Sequence, residues 1–112
     1  MTEDRIYLEY ILQCINRIED YSKGGKEEFV INLMVQDAIM RRLQTLAEST
    51  QRVSEDLKAK MPDIAWRNIA GFRNVLVHDY LGGIDLDIIW EVVNTYLPSL
   101  KEKVTEILEE MQ

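Results

Sequence analysis

Only one cysteine and one histidine occur among the 112 residues. Cys14 alone can form neither an intrachain disulfide nor a cysteine zinc site. His78 alone excludes a multi-histidine metal site within one chain. A di-metal carboxylate bundle is also excluded, because it needs a Glu-x-x-His pair on each of two helices; no metal or other cofactor is expected. Five glycines and two prolines are too few for a linker or a collagen-like chain. No apolar run approaches the roughly 20 residues of a membrane span. The opening MTEDRIYLEY is charged from its third residue, which predicts no signal peptide. A cytoplasmic protein without membrane contact is the expectation. The net charge of −7 argues against a nucleic-acid binder that works by bulk attraction.

What is present is a globular composition, 46% hydrophobic and 29% charged, with no repeat or composition shift to mark a boundary. One domain over residues 1–112 is expected. The apolar spacing is helical almost throughout. Leu8, Ile11, Ile15 and Ile18 share one face of a first helix, which Gly24-Gly25 ends. A long second helix is predicted from about residue 27 to about residue 59, with any bend at Ser49-Thr50. Pro62-Asp63 opens a third helix, capped by Asp63 and carrying Trp66, Ile69, Phe72, Leu76 and Tyr80 as far as Gly82-Gly83. Asp85 caps a fourth, whose stripe is Ile89, Val92, Val93, Tyr96, Leu100, Val104, Ile107 and Leu108. Pro98 lies inside that stripe and should kink or split the helix. The fold class is therefore all-α, an antiparallel bundle of four helices, or five if Pro98 breaks the last.

The charge is uneven. Residues 40–80 hold seven bases and five acids, whereas the segments on either side are acidic. Only the middle third favours a phosphate-bearing ligand. Within it, residues 66–80 read WRNIAGFRNVLVHDY. On a helix, Arg67, Gly71, Asn74 and His78 form one polar stripe. Arg73 falls instead among apolar neighbours, about 140° from His78 at its base. A guanidinium there needs a pocket, an interface, or a carboxylate from Asp63, Asp79 or another helix. Asn74, one turn before His78, can fix the imidazole's orientation and tautomer. Arginine offers a planar fork for phosphate oxygens, and histidine moves a proton near neutrality. Together they suit metal-free cleavage of a phosphodiester, where RNA supplies its own 2′-hydroxyl nucleophile. Arg67, Arg41 and Arg42 are candidate further contacts to RNA. Trp66 and Trp90 read as packing residues and Cys14 as a core thiol.

The run Arg73-Asn74-Val75-Leu76-Val77-His78-Asp79-Tyr80 resembles the Arg-x-x-x-x-His-x-Tyr motif of the HEPN superfamily, specifically its HepT-like ribonuclease toxins. Pro62 and Trp66 before it, Trp90 and Leu97-Pro98 after it, and Phe29 with Leu46-Ala47-Glu48 extend the resemblance over the whole chain. The resemblance implies a HEPN-like helical domain and a homodimer whose motif helices face each other across an RNA-cleaving cleft. It implies a type VII toxin–antitoxin system acting on single-stranded RNA or tRNA without a metal. It also implies an MntA-like nucleotidyltransferase antitoxin that attaches AMP to Tyr80. Arg73, His78 and Asn74 would be the catalytic set. The competing expectation is a non-catalytic helical module that serves as the regulatory subunit of a nucleotidyltransferase.

Overall fold

Apolar residues recurring every three or four positions leave each helix one face to bury, and the bundle follows from pairing those faces. A computed structural model describes residues 2–78 and 83–111, and no strand occurs among them. The helices are α1 (Thr2–Tyr21), α2 (Gly25–Ile31), α3 (Leu33–Arg52), α4 (Glu55–Lys60), α5 (Trp66–His78), α6 (Leu86–Glu91) and α7 (Leu97–Glu110). A π-helical segment, Val92–Tyr96, joins α6 to α7 into one rod. No helix among the described residues is long and apolar enough to cross a membrane.

The predicted first helix stands, and its stripe Leu8, Ile11, Ile15 and Ile18 is at most 1% exposed. Gly25, with φ +80°, takes the left-handed conformation that glycine tolerates best. The single second helix predicted over 27–59 is instead three. Asn32 leaves the helical conformation and its side chain accepts from the Val35 amide at 3.2 Å. Val53 is extended, and the Ser54 hydroxyl accepts from Leu57 to start α4. Both breaks are side-chain caps satisfying free amides at a new helix start. No break occurs at Ser49-Thr50, whose hydroxyls donate to the Tyr7 and Ala47 carbonyls and leave the helix intact.

The third predicted helix starts later than Pro62-Asp63. It begins at Trp66, so Asp63 lies outside capping range, and the Asp63 carbonyl accepts from Lys103 at 3.0 Å. Its predicted end at Gly82-Gly83 falls partly outside the described residues. Asp85 caps α6 as expected, accepting from the Asp87 amide at 2.9 Å. Pro98 has its predicted effect one turn upstream. The Leu97 amide reaches back five residues to Val92, and this wider turn makes room for the proline ring, which would otherwise press on the carbonyl four residues before it.

Two antiparallel pairings organise the bundle. α1 lies on α3, with Cys14 Sγ 3.5 Å from Thr45 Oγ1. Asp4 accepts from both the amide and the hydroxyl of Ser54, at 2.8 and 2.6 Å. α5 lies on the other side of α3, with Ile69 and Leu76 buried. α7 closes the bundle against α1, where Lys101 meets Glu19 at 2.9 Å. Cys14 is fully buried. The tryptophans pack: Trp66 donates to the Met61 carbonyl at 3.0 Å, and Trp90 lies 5.5 Å from Phe29, centroid to centroid.

Candidate active site

α5 displays the predicted polar stripe to solvent: Arg67, Gly71 and Asn74 are all exposed. A Cβ added at Gly71 would meet nothing within 4 Å. Glycine is a poor helix former, so its place in mid-helix is not explained by packing among the described residues. His78 is the last described residue of α5, and of it only the backbone is described. Tyr80, the predicted modification site, lies outside the described residues.

Arg73 does not share that outward face. It leans onto α3, where its Nη2 donates to Glu48 Oε2 at 3.2 Å. Of the carboxylates expected beside Arg73, the described one is thus a residue of another helix, Glu48 of α3; Asp79 lies outside the described residues. Side-chain exposures of 31% and 38% make this a rim pair. Such a pair contributes about 0–1 kcal/mol. Arg73 Nε is buried with no hydrogen-bond partner among the described residues, and an unsatisfied buried donor costs about 1–3 kcal/mol. The ion pair by itself adds little to the stability of the fold. A guanidinium kept at such a position is explained better by what it presents than by what it holds together.

Glu48 belongs to a ridge that the motif alone does not reveal. Asp37, Arg41, Gln44 and Glu48 are spaced four, three and four on α3, the spacing of Arg67, Gly71, Asn74 and His78 on α5. Asp37, Met40, Arg41 and Gln44 border a hollow of about 200 Å³ with Leu76 of α5. The predicted contact Arg41 is thus exposed on the α5 side of α3. Arg42 is not brought there. Tyr21 of α1 is the main reason the charged form of Arg42 is favoured beyond the ordinary arginine value. Arg67 sits on the outward stripe, two turns before Asn74. A larger cavity of about 550 Å³ lies on another flank of α5, lined by Leu46, Ile69, Phe72, Val92, Tyr96 and Leu100 among others. Its walls are mostly apolar, with Asn68, Glu91, Thr95 and Ser99 among them, and no lysine or arginine among the described residues lines it.

Large apolar side chains are exposed at the same end of the molecule. Ile31, Leu33 and Met34 at the α2–α3 corner are 81%, 72% and 82% exposed, and Val75 and Val77 stand out from the C-terminal half of α5. Such a concentration marks an interaction surface more often than a solvated one.

Comparison with known proteins adds to this geometry. Residues 11–107 match the profile of the family described as "Ribonuclease HepT-like". The chain is 36% identical over 108 residues to "Gamma-glutamylcyclotransferase and putative RNase MJ0434" of Methanocaldococcus jannaschii, covering 96% of this chain and 48% of that protein. It is 34% identical to "Putative RNase TTE0752" of Caldanaerobacter subterraneus, covering 97% of both chains. It is 33% identical to "Probable ribonuclease HepT" of Thermococcus cleftensis, covering 90% of this chain and 92% of that one. The chain thus spans about half of one relative and nearly all of the other two. No solved structure matches it significantly.

Proposed function

The chain belongs to the HepT-like ribonuclease family, and from that premise we propose that it is the RNA-cleaving toxin of a type VII toxin–antitoxin pair, working without a metal. The observation that carries this reading is the rim position of Arg73: a permanent cation paired with Glu48 where α5 meets α3, beside a solvent-facing polar stripe. The guanidinium clamps the scissile phosphate and meets the charge that builds on it during attack by the 2′-hydroxyl. His78 moves the proton, accepting it from that hydroxyl or delivering it to the leaving oxygen. Asn74, one turn earlier on the same face, orients the imidazole. Arg67 and Arg41 extend the path of the RNA backbone at either end of the α5 face.

A homodimer completes the site in this reading. The bases of Arg73 and His78 diverge by about 140° on an ideal helix, and a second copy facing α5 brings the same pair in from across a two-fold axis. The exposed Ile31, Leu33, Met34, Val75 and Val77 support burial against such a copy, as does the open space over Gly71. An MntA-like nucleotidyltransferase serves as antitoxin by attaching AMP to Tyr80, two residues after His78. The tethered phosphate then occupies the place of substrate near Arg73.

Cleavage of single-stranded RNA in EDTA tests the activity. Wild type should cut and His78→Ala should not, with the fold retained. Equal degradation by both would refute the assignment. Tight binding to a nucleotidyltransferase with no cleavage under any condition would mark a regulatory subunit instead. Mass spectrometry after co-expression with that enzyme should find AMP on Tyr80, and an unmodified tyrosine would remove that part of the proposal.

A further inference from the structure

We propose that Glu48 is the positioning residue for Arg73, an inference that rests on the ribonuclease reading above. Arginine has four side-chain torsions, and a half-exposed guanidinium at a helix rim would ordinarily sample many of them. Two features of this one restrict it. Nε is buried in the seam between α3 and α5, and Nη2 is tethered to Glu48 Oε2 at 3.2 Å. Because the guanidinium is planar, fixing Nε and one terminal nitrogen also fixes the direction of the other. The side chain remains 31% exposed although Nε is sealed, so part of it stays in reach of a ligand. Glu48 itself is placed by rigid structure. It lies on α3 between the buried Ala47 and Ser49, and the Ser49 hydroxyl is bonded to Tyr7 of α1 at 3.0 Å.

A carboxylate beside a phosphate clamp has two opposed effects. It aims the guanidinium, which helps most when charge builds on the phosphorane. It also repels the phosphodiester anion in the ground state. Replacing Glu48 by glutamine keeps the shape and removes the charge. The signature of a positioning role is therefore split: kcat falls while KM stays level or falls as well. A purely structural ion pair would not produce that split.

The experiment measures steady-state cleavage of a single-stranded RNA in EDTA by wild type, Glu48→Gln, Arg73→Ala and the double variant. Glu19→Gln, in the exposed pair with Lys101, serves as control, and melting curves accompany each protein. Glu48→Gln should lower kcat ten- to hundredfold, without raising KM and without shifting the melting temperature by more than a few degrees. It should add nothing once Arg73 is absent. An unchanged kcat, or the same loss in the Arg73→Ala background, would overturn the proposal. The Arg73 Nε–H resonance in a ¹⁵N spectrum gives a second readout that needs no turnover. It should be sharp in wild type and broadened or exchanged away in Glu48→Gln; an identical signal in both would equally overturn it. If wild type cuts no RNA, the ribonuclease reading fails, and the resonance still decides whether Glu48 holds the guanidinium.

Discussion

α3 makes its two largest described seams with α1 and with α5, and they are built differently. Against α1 it is apolar and closely covered: Leu8, Ile11, Cys14, Ile15 and Ile18 are at most 1% exposed, and Ser49 and Ser54 find partners in Tyr7 and Asp4. Against α5 the seam is bordered by a cavity on one flank and a polar hollow on another. It also carries a buried nitrogen with no partner among the described residues. The contrast suggests that α1 and α3 hold the scaffold, whereas α3 and α5 give up some packing to present a cation.

The sharpest way to break the contrast is to remove that cation. Arg73→Ala should reduce metal-free RNA cleavage about 10³-fold, about 4 kcal/mol of transition-state stabilisation, with the melting temperature nearly unchanged. A collapse in melting would make Arg73 a structural residue and erase the distinction. On the opposite seam, Ile11→Ala should cost about 3 kcal/mol in urea unfolding, while cleavage per folded molecule stays at the wild-type level. Gly71→Ala is smaller and more discriminating. Alanine in an exposed mid-helix position stabilises by about 0.5–1 kcal/mol, yet its methyl would intrude on any RNA or second copy pressed against that face. Raised melting with cleavage down about fivefold is expected; raised melting with full activity would show that nothing approaches Gly71.

The smallest effect concerns the rod that closes the α5 cavity. Burial raises the Tyr96 phenol above its ordinary value of 10.0, opposed by a hydrogen bond from the Ala65 backbone. The neutral phenol is the form the fold favours. Its contribution is complete below the unfolded value, near pH 10, and is lost as pH rises through the higher folded value. Melting temperature should decline across that alkaline window, and less steeply in Tyr96→Phe.

Much of this was legible in the residue pattern, and the exceptions have physical causes. The core stripe of α1, the cap at Asp85 and the outward face of α5 follow from periodicity and capping chemistry, which are local. The breaks at Asn32 and Ser54 were hidden because each cap sits inside an uninterrupted apolar rhythm, and asparagine and serine also occur in helix interiors. The π segment left a clue: Ile89, Val93 and Leu97 are spaced four and four just before a proline, where an α-helix alternates threes and fours. Glu48 could be singled out only by the matching four-three-four rhythms on α3 and α5. Which helix faced Arg73 is a matter of tertiary pairing, and no spacing along one helix reports that.

The wide turn at Val92–Tyr96 also bears on how long this chain has to be. A π turn holds one residue more than the α turn it replaces. Excising the exposed Asn94 together with a Pro98→Ala exchange, which removes the ring the wide turn accommodates, should let the rod rewind as ordinary helix while Leu100, Val104 and Ile107 continue to face inward. A shortened chain that still melts cooperatively would identify this turn as a place where the gene can gain or lose a codon without re-aiming the core.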